Sequence, residues 1–237
     1  MKKLLTIAVA SFAIAAVAEY TAPQIGVTTI TATSKNTIIP VPFKALSDGT
    51  SDITVTDLVK TNSLPNMTWL LAYNGFNYSS WQYNSGAWTP VAYIDETKIS
   101  SSTGAANATL ACGSALWIVL PYANSYNVPV TVYGAYVGDV TSAVAAGGES
   151  GVATLVANPL QSEATITVTP EPEVGDQIII PESSKMYTYR KKKGGTNGTW
   201  RYDGAAATLP SFSIGQGFWY VRAAGGSATE ITWKEKE

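Results

Sequence analysis

The 237-residue chain contains no histidine, and this removes whole classes of chemistry. A Ser-His-Asp triad, a Cys-His dyad, a histidine general base and histidine-ligated zinc are all excluded. Carboxylates remain: among 17 acidic residues, a pair flanking a glycosidic bond is formally available. Catalytic carboxylates need a setting that shifts their pKa. Asp48, Asp52, Asp57, Asp95, Glu96, Glu171, Glu173 and Asp176 stand in turn-like stretches without desolvating aromatic neighbours. The reading is a protein that is not an enzyme and uses no cofactor. Asp48-Gly49-Thr50-Ser51-Asp52 places two carboxylates around a glycine, but the spacing is not that of an EF-hand loop and Asp-Gly is first a turn signal. No metal site is expected.

Aromatic side chains are the other candidates. Tyr73, Phe76, Tyr78, Trp81, Tyr83 and Trp88 crowd into one stretch, and two readings are open. In one, Tyr78, Trp81, Tyr83 and Trp88 form an exposed platform on which sugar rings stack. In the other the same rings fill a core, which the recurrence of Tyr187, Tyr189 and Trp200 further on favours. Arg190-Lys191-Lys192-Lys193, followed by Gly194-Gly195, reads as a solvated hairpin loop.

The chain opens with Met1-Lys2-Lys3, an uncharged run from Leu4 to Ala15 and the small-residue site Ala16-Val17-Ala18. This is the layout of a secretory signal peptide over 1–18, and the run is shorter than the roughly 18 apolar residues of a membrane span. Without Lys2 and Lys3 there remain 13 basic and 17 acidic residues, a net charge of −4. That balance argues against nucleic acid or an anionic membrane as partner. Charged residues make up 14% and hydrophobic ones 46%, which suits a secreted β-protein better than a disordered chain. Cys112 is the single cysteine, so no intramolecular disulfide forms and it reads as a small buried apolar residue.

The elements that must position these residues are short strands. Ile25, Val27, Thr29, Thr31 and Thr33 alternate along an extended N-terminal segment, 19–36. Pro40 and Pro42 confine the next piece to an edge or a strand end. Trp69 to Tyr73, Asn74-Gly75 and Tyr78 to Tyr83 read as a hairpin. The runs around Trp117 and from Val128 to Val137 close a first half, and the stretch from Val137 to Met186 has no aromatic residue. A second half repeats the programme. Leu155 to Pro159 answers Ile38 to Pro42, and Thr165 to Val168 answers Asp52 to Val55. Gln177 to Ile180 answers the strand from Trp69, Tyr187 to Tyr189 the segment from Tyr78, Trp200 answers Trp88 and Trp219 answers Trp117. Outside the leader, only Thr141 to Ala146 suits a helical turn. The expected fold is all-β: two tandem β-sandwich-like repeats with aromatic-rich cores, 37–140 and 152–237, joined by a linker at 141–151.

Asn158-Pro159, Gly175-Asp176, Trp200 and Gly215-Gln216-Gly217-Phe218-Trp219 resemble the motifs of a loosely defined set of secreted, duplicated β-proteins from the Planctomycetes–Verrucomicrobia group. The first half carries a weaker copy, without the Gly-Asp pair and with Gly113-Ser114-Ala115-Leu116-Trp117 at its closing strand. The resemblance implies export and a duplicated β-scaffold, and no activity.

The functional expectation is an extracellular structural protein, secreted or held at the cell surface, that assembles with copies of itself into a fibre, layer or matrix. Ile25, Val27, Thr29, Thr31 and Thr33, expected to lie outside the repeated unit, would form the assembly strand by pairing with a neighbour's sheet edge. The alternative is a monomeric carbohydrate-binding module, with an extracellular polysaccharide as partner.

Overall fold

A computed structural model of the chain describes residues 23–33, 36–59, 64–73, 75–92, 102–105, 108–121, 127–191 and 198–236. The expected signal peptide lies outside them. The first half contains β1 (Ile25–Ala32), β2 (Asn36–Pro40), β3 (Phe43–Lys44), β4 (Ile53–Thr54), the one-turn helix α1 (Val55–Leu58), β5 (Thr68–Tyr73), β6 (Tyr78–Asn84), β7 (Ala87–Pro90), β8 (Ser102–Thr103), β9 (Thr109–Leu110), β10 (Ala115–Val119) and β11 (Val128–Tyr136). The second contains β12 (Thr141–Val144), β13 (Val152–Ala157), β14 (Ala164–Thr169), β15 (Gln177–Ile180), a 3-10 turn (Pro181–Ser183), β16 (Lys185–Lys191), β17 (Gly198–Tyr202), β18 (Ala205–Ala206), β19 (Gly217–Arg222) and β20 (Thr229–Glu235). The chain is all-β. No helix among the described residues is long and apolar enough to cross a membrane.

The strands form antiparallel sheets, apart from the short parallel contact of β8 with β6. In the first half β1-β11-β3 make a small sheet, β2-β10-β5-β6-β7 a larger one, and β4 pairs with β9. In the second half the sheets are β12-β20-β14 and β13-β19-β15-β16-β17-β18. The order is the same in both when β1, β2, β3, β5, β6, β7, β10 and β11 are matched with β12, β13, β14, β15, β16, β17, β19 and β20. The register agrees as well. Trp117 lies between Ile38 and Leu71 as Trp219 lies between Leu155 and Ile179, and Tyr83 faces Trp88 as Tyr189 faces Trp200.

Three expectations are corrected. β1 does not stand apart from the first half: it is the first strand of its small sheet, and its counterpart in strand order is β12, in the stretch read as a linker or helical turn. The two-residue period decides that stretch, since Ser142 and Val144 are buried while Thr141 and Ala143 are exposed. The match of β14 is β3, not Asp52 to Val55. There β4 stops and α1 begins, because the Thr54 hydroxyl accepts the Asp57 N–H and caps a helical turn.

Alternation sends one face of each sheet into a core. In the first half Ile39, Leu70, Trp81, Leu116 and Ile118 of the larger sheet meet Ala32, Phe43, Val130 and Val132 of the smaller. In the second, Val156, Ile178, Tyr187, Phe218 and Tyr220 meet Val144, Ile231 and Trp233. Such face-to-face burial is what holds paired sheets together. A third cluster forms the seam between the halves: Ile38, Ala115, Leu155 and Ala157 are buried there, with Trp117 and Trp219 half-buried against them. The two indoles approach to 6.4 Å between ring centroids. A relay also crosses the seam, in which the Trp233 N–H donates to the Ser142 hydroxyl at 2.8 Å and that hydroxyl donates to the Gly113 carbonyl.

Candidate functional site

β1 runs antiparallel to β11, with Gly26 opposite Gly134 and Thr28 opposite Val132. The Tyr136 N–H donates to the Gln24 carbonyl at 2.7 Å. Hydrogen-bonded and non-bonded pairs alternate in such a ladder, so Gly26, Thr28, Ile30 and Ala32 spend their backbone groups on β11. Ile25, Val27, Thr29 and Thr31 aim theirs the other way, along an edge on which no strand pairs among the described residues. Their side chains lie on the solvent face: Ile25 is 68% and Val27 47% exposed, and the Thr29 hydroxyl bonds that of Thr131 at 3.0 Å. Thr33 is exposed just beyond the strand.

The strand has neither a charge nor a proline, the common devices that blunt an edge. On β14, by contrast, Ala164 exchanges backbone bonds of 2.9 and 2.8 Å with Phe212, which covers the start of that edge. The inner face of β1 is bound to its own molecule. Ala32 is fully buried, a Cβ on Gly26 would overlap the Phe43 ring, and the Thr28 hydroxyl accepts from the Gln161 amide of the second half.

The sugar platform expected at Tyr78, Trp81, Tyr83 and Trp88 is not offered to solvent. Trp81, Tyr83 and Trp88 are 2%, 4% and 8% exposed, and Tyr78 is half-buried, its ring 4.9 Å from that of Tyr73. Trp81 and Tyr83 share the face of β6 that points at the small sheet, and Trp88 lies opposite Tyr83 with ring centroids 5.2 Å apart. Their polar edges are satisfied inside. The Trp81 N–H donates to the Ala105 carbonyl at 3.1 Å and the Trp88 N–H to the Val59 carbonyl at 2.9 Å.

The carboxylates divide into two settings. Asp48 accepts from the Thr50 and Ser51 N–H groups at 2.8 and 2.9 Å and from the Ser51 hydroxyl. These bonds, the Ser51 hydroxyl foremost, lower its pKa to about 2. Asp52 is paired with Lys44 at 2.6 Å. The stretch is therefore a hydrogen-bonded turn with an ion pair beside it.

Asp176 departs from the sequence expectation, for it is fully buried beside Tyr220. Its carboxylate takes the Tyr220 hydroxyl at 2.7 Å, the Ala223 and Glu173 N–H groups at 2.8 and 3.0 Å, and the Arg222 guanidinium. Arg222, buried as well, also bonds Glu173 at 2.9 Å and the Ser227 carbonyl at 2.8 Å. Burial first, then the bond to Asp176, pushes the Tyr220 hydroxyl far up from its ordinary value. With four donors on it, this carboxylate fastens the turn before β15 to the end of β19. The signal in the sequence was an arginine closing an otherwise apolar strand.

Cys112 is half-buried and its thiol is pushed up by burial, which disfavours the reactive thiolate. Arg190 and Lys191 are exposed at the end of β16, and the rest of that basic run lies outside the described residues. No protein-family model, curated protein or solved structure matches the chain.

Proposed function

We propose that the protein is a non-enzymatic extracellular structural subunit, a tandem duplication of a β-sandwich-like unit, that joins copies of itself by strand addition at the open edge of β1. The observation that carries this reading is the edge itself: four alternate residues, Ile25, Val27, Thr29 and Thr31, aim their backbone groups outward from a strand without charge or proline. Main-chain groups so arranged are a template for an incoming strand. The leader-like start supports export.

Deleting 19–36 is a poor test, because β1 helps to close its own core. Val27→Pro is a better one: it removes an N–H that β11 does not use, so the fold is retained while the edge is blocked. The mature chain, 19–237, is expected to form polymers or large oligomers by light scattering and electron microscopy, and Val27→Pro to stay monomeric with a near-normal melting curve. A wild-type chain that stays monomeric at high concentration, or a Val27→Pro chain that assembles as well as wild type, overturns the reading.

A further inference from the structure

The small sheets end in two long strands whose far side is open, β1 and β14. Neither Ile25–Ala32 nor Ala164–Thr169 contains a charge or a proline. The direction of each backbone group on β14 is fixed from both sides. The Lys236 N–H donates to the Glu163 carbonyl at 2.9 Å, and Ala164 exchanges its bonds with Phe212 on the other side. By alternation Thr165, Thr167 and Thr169 bond β20, while Ile166 and Val168 direct their N–H and C=O groups away from the sheet. Beyond Ala164, no strand pairs with that side of β14 among the described residues. The remaining edges are short or covered. β3, β4, β8, β9 and β18 are two residues long, and β7 ends in Pro90. β2 and β13 lie against each other at the seam. On β12, Gly113 sits so close to the Thr141 carbonyl that a Cβ there would overlap it.

The two open edges have opposite parity. On β1 the residues with outward backbone groups, Ile25, Val27, Thr29 and Thr31, carry solvent-facing side chains. On β14 the outward residues, Ile166 and Val168, carry half-buried side chains packed on the core. Residues that stand opposite each other in a ladder share a face. In an antiparallel ladder the bonded residues are the opposite ones, so β1 against β14 would set solvent-facing side chains beside core-facing ones. In a parallel ladder a residue bonds the two neighbours of the residue opposite it, so strands of opposite parity join with their faces matched.

We infer, resting on the reading of β1 as the assembly edge, that its partner is β14 of another copy, added in parallel with Val27 opposite Thr167. The Val27 N–H then donates to the Ile166 carbonyl of that copy, and the Val27 carbonyl accepts from its Val168 N–H. On either side, the Ile25 carbonyl accepts from the Ile166 N–H and the Thr29 N–H donates to the Val168 carbonyl. On the solvent face Ile25, Val27 and Thr29 meet Thr165, Thr167 and Thr169, rows that are β-branched and free of like-charge pairs. On the core face Ile166 comes beside Gly26, which has no side chain to displace. Two different patches of one chain make a heterologous contact, which repeats into an open fibre unless its rotation closes a ring. Pairing β1 with a second β1 also matches faces when antiparallel, but that contact is isologous, stops at a dimer and leaves β14 uncovered.

The test blocks one edge at a time in the mature chain, 19–237, with Val27→Pro or with Val168→Pro, which removes an N–H that β20 does not use. Each variant keeps a cooperative melting transition and stays monomeric in sedimentation velocity at concentrations at which the wild type polymerises. Mixed in equal amounts, they form one-to-one heterodimers and nothing larger, because the first still offers β14 and the second β1. A Val168→Pro chain that polymerises like the wild type, or a mixture of folded variants that stays monomeric, overturns the inference and leaves assembly at β1 standing. A Val27→Pro chain that polymerises overturns that reading itself. A second readout does not depend on how well half-buried Val168 accepts proline. In a Cys112→Ala background, Val27→Cys with Thr167→Cys sets two exposed cysteines directly opposite each other across the junction, within the Cα spacing of a disulfide. Oxidised polymers of this chain give a reducible ladder of covalent multimers on a denaturing gel. Polymers that give no ladder overturn the inference.

Discussion

The two larger sheets carry different chemistry at matched positions. Where the second half has Asp176, Tyr220 and Arg222, the first has Thr68, Ile118 and Leu120, and all six are fully buried. The Thr68 hydroxyl is satisfied by the Pro65 carbonyl at 2.8 Å, and the other two first-half residues need no partner. The same strand order therefore tolerates either an ionic cluster or an apolar set, so the cluster is not what makes the sheet. Its bonds run to the backbone of Glu173, Ala223 and Ser227, which places its effect on the turns at that end of the second half.

This comparison can be broken at one residue. Arg222→Leu alone leaves Asp176 buried without its cation, and urea denaturation is expected to show a loss of about 3–5 kcal/mol. Importing the whole first-half set, Asp176→Thr with Tyr220→Ile and Arg222→Leu, replaces a buried ion pair by packed apolar groups and is expected to restore stability to near or above wild type. A triple variant as unstable as Arg222→Leu would show that the turns need the cluster even though the sheets do not.

The seam gives the next largest effect. Gly217 and Ala115 occupy matched positions, each two residues before the seam tryptophan of its strand. A Cβ on Gly217 would overlap Ile38 at its Cβ as well as its outer carbons, while Ala115 already carries a Cβ in the same buried cluster. Gly217→Ala is expected to cost about 1–3 kcal/mol through overpacking. The reciprocal Ala115→Gly loses only about 0.5–1 kcal/mol, the penalty of a glycine within a strand. Thermal melts of the two variants decide whether the halves meet asymmetrically, as the packing requires.

Much of the fold was legible because aromatic residues mark register. Trp88 and Trp200, Trp117 and Trp219, and the strands from Trp69 and Gln177 could be matched from composition alone, and the structure places each pair in equivalent ladders. The small sheets were harder to read. β3 is two residues long, and β12 sits among alanines and glycines, so neither has enough side-chain pattern to outweigh its surroundings. The chemistry of the sites was less legible still. Alternation along β6 shows that Trp81 and Tyr83 share a face, but not which face is inside; the second layer decides that. The open edge of β1 depends on which residues bond β11, a parity that only the observed ladder fixes. The burial of Asp176 depends on Tyr220 and Arg222, more than forty residues away in sequence.

The smallest effect separates the halves by pH. Tyr220 has its folded-state pKa raised above the unfolded value of about 10. A group of this kind contributes stability that is fully present below about pH 10 and lost as the pH rises toward the folded-state value, because the unfolded chain releases its proton first. Its neighbours work in the same direction and against it: Asp176 accepts the hydroxyl proton, while Arg222 favours the phenolate. Tyr78 and Tyr189 are also raised, by burial first, so wild type is expected to lose stability in strong base for several reasons. The difference between wild type and the triple variant isolates Tyr220, since Ile118, its match in the first half, cannot titrate. Their stabilities should therefore diverge above about pH 10, with a slope difference no greater than about 1.4 kcal/mol per pH unit for one group. Urea midpoints measured from pH 8 to 11 show the divergence, and parallel curves over that range would mean that the Tyr220 hydroxyl reaches solvent in the folded protein. On the acid side Asp48, lowered to about 2, stabilises its turn above about pH 4 and loses that contribution as the pH falls toward 2. That turn is present in the triple variant too, so the Asp48 contribution is common to both proteins and only the alkaline limb reports on Tyr220.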